Sequence, residues 1–106
     1  MIKMEPNKKY TSIDAVVNIE GGLGLRASYH IVKECMNYDR EIYLVNDGEY
    51  ADCKSILALI GMGAEQGAEL KILVEGEDDA AKRIASRLRS GVASKYKFDM
   101  RFEDGI

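Results

Sequence analysis

Residues 21–30, GGLGLRASYH, place three glycines, an arginine and the only histidine of the chain in one short stretch. A Gly-rich bend that runs into an arginine and then into an amphipathic segment has the layout of a helix N-terminus awaiting an anion. The first backbone N–H groups of a helix find no partner within it, and the helix dipole favours negative charge there. Gly24 and Arg26 are the candidate anion-binding residues, within a cradle running from Gly22 to Arg26. Gly24 is a tolerable N-cap and Arg26 a flanking cation. The same residues, Gly22-Leu23-Gly24-Leu25-Arg26-Ala27, satisfy the G-x-G-x-x-A dinucleotide fingerprint, with Asp47 as an acidic residue about 20 positions later. His30 is the only imidazole available as a nucleophile. It falls about one and a half turns into the helix, beyond reach of its N-terminal amides. Beside Ile31 it is expected at the rim of the apolar face, as a surface or partner-contact histidine.

A second candidate lies in KSILALIGMGA, where Ser55 opens a short apolar helix. A hydroxyl at that position caps free amides, and a phosphate added to it would be stabilised by the same amides and dipole. Ile56, Leu59 and Ile60 come next as candidate partner-binding residues. The two cysteines, Cys35 and Cys53, have neither metal nor redox spacing and fall in apolar-patterned segments. They are expected as buried thiols, with no metal site and no cofactor.

These residues must be positioned by the surrounding elements. TSIDAVVNIE alternates, with Ile13, Ala15, Val17 and Ile19 on one side, which predicts a half-buried strand ended by the glycines. LRASYHIVKECMNY repeats apolar residues at helical spacing. EIYLVNDGEYADC reads as a hairpin turning at Asn46-Asp47-Gly48, and ELKILVEG as a fourth strand. EDDAAKRIASRLRSG is acidic at its start and basic at its end, matching a helix dipole, and is expected to stop at Gly91. The order β-α-β-β-α-β-α describes an α+β domain whose helices cover one face of an antiparallel sheet. The hairpin also disqualifies the dinucleotide reading, which needs a parallel crossover at that point.

The chain of 106 residues has room for one two-layer core. A net charge of −3 argues against nucleic acid as partner. No apolar run approaches the roughly 18 residues that cross a bilayer, and the N-terminus has no signal-peptide core, so a cytoplasmic protein without a membrane partner is expected.

Two stretches together resemble one family. GLGLRASYHIVKE is similar to the active-site segment of HPr, the histidine phosphocarrier of the bacterial sugar phosphotransferase system, where the pattern is G-L-H-A-R-P-A. CKSILALIGMGAEQGAELKILVEGEDDAAKRIASRL resembles that family's regulatory-serine segment together with the strand and helix beyond it. The resemblance spans residues 11–92. It implies an open-faced β-sandwich, a four-stranded antiparallel sheet with three helices on one side, and a carrier rather than an enzyme. Gly24 stands where the family places its phosphoryl-accepting histidine, and Ala27 where a proline comes after the arginine; Arg26 is kept. A relay needs an imidazole nitrogen to take the phosphoryl group, and glycine offers none. By the resemblance, Ser55 is the target of a regulatory kinase, and the implied partners are that kinase, a transcriptional regulator or the phosphotransferase enzymes. Loss of the histidine with retention of the serine is similar to the catabolite-repression subgroup.

The expected function is a regulatory or interaction module controlled through Ser55. The alternatives are a small-anion or phosphometabolite binder using the Gly22–Arg26 cradle, and a phosphocarrier using another residue. Residues 1–10, with Pro6, are expected as an N-terminal arm and residues 93–106 as an extension. Within that extension KYKFDMRF (95–102) alternates Tyr96, Phe98, Met100 and Phe102 with polar residues, the pattern of an extra strand. That strand can pair within the chain or across a two-fold axis in a homodimer.

Overall fold

The structure, a computed structural model, describes residues 7–93. Its elements keep the predicted order: β1 (Tyr10–Val16), α1 (Leu25–Cys35), β2 (Ile42–Asn46), β3 (Glu49–Asp52), α2 (Ile56–Met62), β4 (Glu69–Glu75) and α3 (Asp79–Ala93). The strands form one antiparallel sheet in the order β1-β4-β2-β3. Pairing aligns Ile13 with Ile72, Ile72 with Leu44, and Leu44 with Ala51, so one row crosses the whole sheet. Strand side chains alternate between faces, which puts this row toward Ile31, Leu59, Ile84 and Leu88 of the helices in a single core. The hairpin turns on Asp47 (φ 52°) and Gly48 (φ 82°), the left-handed pair that a two-residue connection requires.

The chain departs from the sequence-based boundaries at both ends. Residues 8–10, assigned to the arm, belong to the domain: Tyr10 opens β1, and the Lys9 carbonyl accepts from Gly76 N at 2.8 Å. Long-range polar contacts hold this segment, and no local pattern announces them. Helix α3 also continues through Gly91 to Ala93. Its Val92 is 1% exposed, and the Val92 carbonyl accepts from Asn18 N at 3.0 Å. Burying a valine is worth about 1.5–3 kcal/mol, more than the roughly 1 kcal/mol that a glycine costs inside a helix. The rest of the expected arm (1–6) and the expected strand at 95–102 lie outside the described residues.

Among the described residues no helix covers the sheet's other face, yet its centre is not bare. Tyr43 is 7% exposed, with the rings of Tyr10 and Tyr50 at 6.3 and 6.4 Å on either side. Glu41 anchors the group. Its Oε1 accepts from the hydroxyls of Tyr10 (2.6 Å) and Tyr43 (3.1 Å), and its Oε2 pairs with Lys8 Nζ at 2.6 Å. The hydrogen bond from Lys8, then that from Tyr10, draws the Glu41 carboxyl down to about 2. Burial, then the carboxylate, pushes the Tyr43 hydroxyl up to about 12.

Two loops before the helices set the site. Gly22 has φ +74°, and a Cβ built on it would lie 2.3 Å from the Ala64 carbonyl oxygen and 2.8 Å from Glu65 Cα. The loop before α1 therefore presses directly on the loop after α2, and Leu23 N donates to the same Ala64 oxygen at 2.9 Å. Gly24 is different: its φ is −81°, and among the described residues nothing lies within 4 Å of a Cβ placed there.

This geometry generates two expectations. Gly22→Ala should destabilise the fold by roughly 2–4 kcal/mol, whereas Gly24→Ser should change stability by less than about 0.5 kcal/mol. Equal thermal midpoints for the two variants would refute the close approach. The second concerns Glu41, whose proton is bound more weakly in the folded than in the unfolded chain. Its stabilising contribution is complete above 4.5 and is lost as the pH falls toward 2. Glu41→Gln should lower stability at neutral pH and remove this part of the pH dependence. Urea unfolding of both chains between about pH 5 and pH 2 measures it, and parallel curves would contradict the assignment.

Candidate functional site

Helix α1 starts where the glycine bend predicts. Gly24 is its N-cap, in extended conformation, and supplies no side-chain cap; its carbonyl accepts from Ser28 N at 2.9 Å. The first turn carries no acidic residue, so no side-chain anion of α1 itself occupies the positive end of the helix. Arg26 is exposed in that turn, and Leu25 is 68% exposed beside it.

Ser55 caps α2. Its backbone is extended (φ −118°, ψ 109°), its Oγ accepts from Ala58 N at 3.2 Å, and its carbonyl accepts from Leu59 N at 3.2 Å. The turn before it is fixed from two sides. Asp52 Oδ1 accepts from Lys54 N at 2.9 Å, and Ser55 N donates to the Asp52 carbonyl at 3.0 Å. The Lys54 ammonium, next to the serine, donates to the Tyr38 carbonyl at 2.7 Å. Gly63, left-handed at φ 66°, closes the helix, and its N–H donates to the Ile60 carbonyl. Ser55 is half-buried, so its hydroxyl is tied to the helix while the residue still meets solvent.

Helices α1 and α2 pack against each other. The loop before Gly24 meets the loop after α2 at Ala64, whereas Ser55 opens the other end of α2, next to the Lys54 that reaches Tyr38 beyond the end of α1.

The structure corrects two of the proposed site residues. Leu59, expected to contact partners, is 0% exposed and belongs to the core, whereas Leu57 is 77% exposed. At about 100° per residue these two leucines point to nearly opposite sides of a short helix, so only one can be buried. Ile56 and Ile60, also proposed as partner contacts, are half-buried. The signal for Leu57 was in the sequence: an apolar residue out of phase with the buried stripe. His30 is 1% exposed, inside the core rather than at its rim, with its ring edge-on to Tyr29 at 5.5 Å. The apolar face of α1 is wide enough to take in Ala27, Ser28, His30 and Ile31 together. An imidazole enclosed in this way cannot meet a phosphoryl donor.

Cys35 and Cys53 are free, buried thiols, as expected. Burial, then the neighbouring Cys35 thiol, raises the Cys53 thiol well above its ordinary range, which leaves it unreactive. Among the described residues no group of three or more His, Cys, Asp or Glu could hold a metal ion, and no helix is long and apolar enough to cross a membrane.

This arrangement can be set beside known proteins. The HPr-like protein Crh of Bacillus subtilis is 27% identical over 78 residues, covering 72% of this chain and 92% of that one. The phosphocarrier protein HPr of Treponema pallidum is 37% identical over 60 residues, covering 57% and 68%. Among solved structures, HPr of Bacillus anthracis superposes with a TM-score of 0.71 at 24% identity, over 78% of this chain and 96% of that one. The crystal structure of Bacillus subtilis Crh, described as a swapped dimer, gives 0.62 at 22% identity, over 90% and 97%. The family described as the PTS HPr component phosphorylation site matches residues 11–102, past the boundary expected at residue 92. With that match over most of its length and an open-faced sheet of the same architecture, this chain belongs to the HPr family of the phosphotransferase system.

Proposed function

We propose that this member of the HPr family has given up phosphoryl transfer and works as a regulatory interaction module switched through Ser55. The observation that carries the reading is the contrast between the two helix starts. At α1 the acceptor position is Gly24, with open space around it and no nucleophile. At α2 a hydroxyl sits at the N-cap, bonded to a first-turn amide. A phosphate on Ser55 would gain the free amides, the positive end of the helix dipole and the adjacent Lys54. Leu57, exposed two residues after Ser55, gives the surface beside the cap an apolar component suited to docking a protein partner. The implied partners are a serine kinase and a transcriptional regulator. The anion-binding alternative draws on the same α1 start, through Gly24 and Arg26.

Incubation with phosphoenolpyruvate and the phosphotransferase enzyme I should leave the chain without acid-labile phosphate. Gly24→His should fold normally and acquire it on the introduced imidazole, because nothing crowds that position. Phosphate found on His30 of the unaltered chain would restore the carrier reading. A cognate serine kinase should add one acid-stable phosphate at Ser55. Ser55→Ala should abolish that modification and cost about 1 kcal/mol of stability through loss of the cap. Mass spectrometry that finds another serine modified, with Ser55 untouched, would reject the switch.

A further inference from the structure

Away from this region, the turn after α1 and the first half of α3 enclose a groove of about 610 Å³. That is within the range of roughly 300–1,000 Å³ typical of small-molecule sites. It lies at the far end of α1 from Gly24, about 15 Å along the helix. Tyr38, Ala80 and Ile84 supply apolar surface, and three arginines, Arg40, Arg83 and Arg87, also line it. Arg40 is a fixed wall. Its terminal nitrogens meet Asp78 at 2.6 and 2.8 Å, and one of them also donates to the Glu75 carbonyl at 3.1 Å.

The other two arginines are differently placed. Arg87 uses only Nε to reach Glu34 Oε2, at 3.1 Å. Glu34 itself accepts from the Tyr38 hydroxyl, so this guanidinium is held in position, and among the described residues its terminal N–H groups are unspent. Arg83 lies one helical turn earlier and is exposed; among the described residues no carboxylate pairs with it. Residues four apart on a helix share a face, about 5–6 Å between their Cβ atoms. Two guanidinium groups at that spacing suit an anion with several terminal oxygens, since a carboxylate is already satisfied by one fork. Asn37 and Asp39, also lining the groove, can hydrogen-bond hydroxyl groups, and the Asp39 carboxylate would repel a second anion.

We propose that this groove binds a small hydroxylated organic monophosphate, its phosphoryl group held by Arg83 and Arg87 and its hydroxyls by Asn37 and Asp39. The apolar floor covers the ligand's carbon face.

The test is an amide chemical-shift titration of the full chain with glucose 6-phosphate, with inorganic phosphate and with glucose. Glucose 6-phosphate should give saturable shifts in residues 37–40 and 80–87, and inorganic phosphate should bind there at least roughly tenfold more weakly. Glucose alone should give none. Arg83→Gln, an exposed substitution that should leave the unfolding midpoint unchanged, should weaken binding by about tenfold, and Arg83→Lys by less. Three outcomes would overturn the proposal: no saturable shift up to about 10 mM ligand, unchanged affinity in Arg83→Gln, or shifts confined to residues 24–28.

Discussion

One contact without a side chain governs where the start of α1 lies against the end of α2. Gly22 backs onto the Ala64 carbonyl so closely that no Cβ fits between them. The loop entering α1 and the loop leaving α2 are thereby locked together, and Leu23 N completes the lock on the same oxygen. The direction of the Gly24 end and the packing of α1 on the end of α2 depend on this junction. The sheet supplies the platform. The apolar row from Ile13 through Ile72 and Leu44 to Ala51 faces the helices and makes both layers a single core.

The sheet face turned away from the three helices obeys a different physical plan. It hides one tyrosine at its centre, flanks it with two others and satisfies the buried hydroxyl through Glu41. A polar group that close to the interior needs its hydrogen bond, and a carboxylate is a strong acceptor for it. The same carboxylate gathers Lys8 and Tyr10, so the first residues of the domain are fastened by a charged anchor together with the Tyr10 ring against Tyr43.

Much of this fold is legible from local pattern. The alternation of β4, the Asp47-Gly48 turn, the Ser55 and Gly24 caps and the closing glycine at 63 are all signals within a few residues of the structure they produce. The features that escaped depend on contacts distant in sequence. Lys8 finds Glu41, Val92 finds Asn18, and Arg87 of α3 finds Glu34 of α1, none of which periodicity can report. His30 and Leu59 show a subtler limit. Helical spacing ranks faces of a helix but does not fix how wide the buried face becomes, and here it widens to take a polar ring inside. Leu57 and Leu59 could be told apart only by phase, and the phase was readable. The family motifs located Gly24 and Ser55 directly, but the crowding at Gly22 and the open space at Gly24 needed coordinates.

That open space has an evolutionary meaning. Position 24 places little steric demand on the fold: its backbone angles suit any residue, and among the described residues nothing lies within 4 Å of a Cβ built there. Selection for a stable protein therefore neither preserves a side chain at that point nor opposes its loss. A lineage could thus exchange the residue there without passing through an unfolded intermediate. Gly22, two residues away, records the opposite pressure, since the architecture itself forbids its replacement.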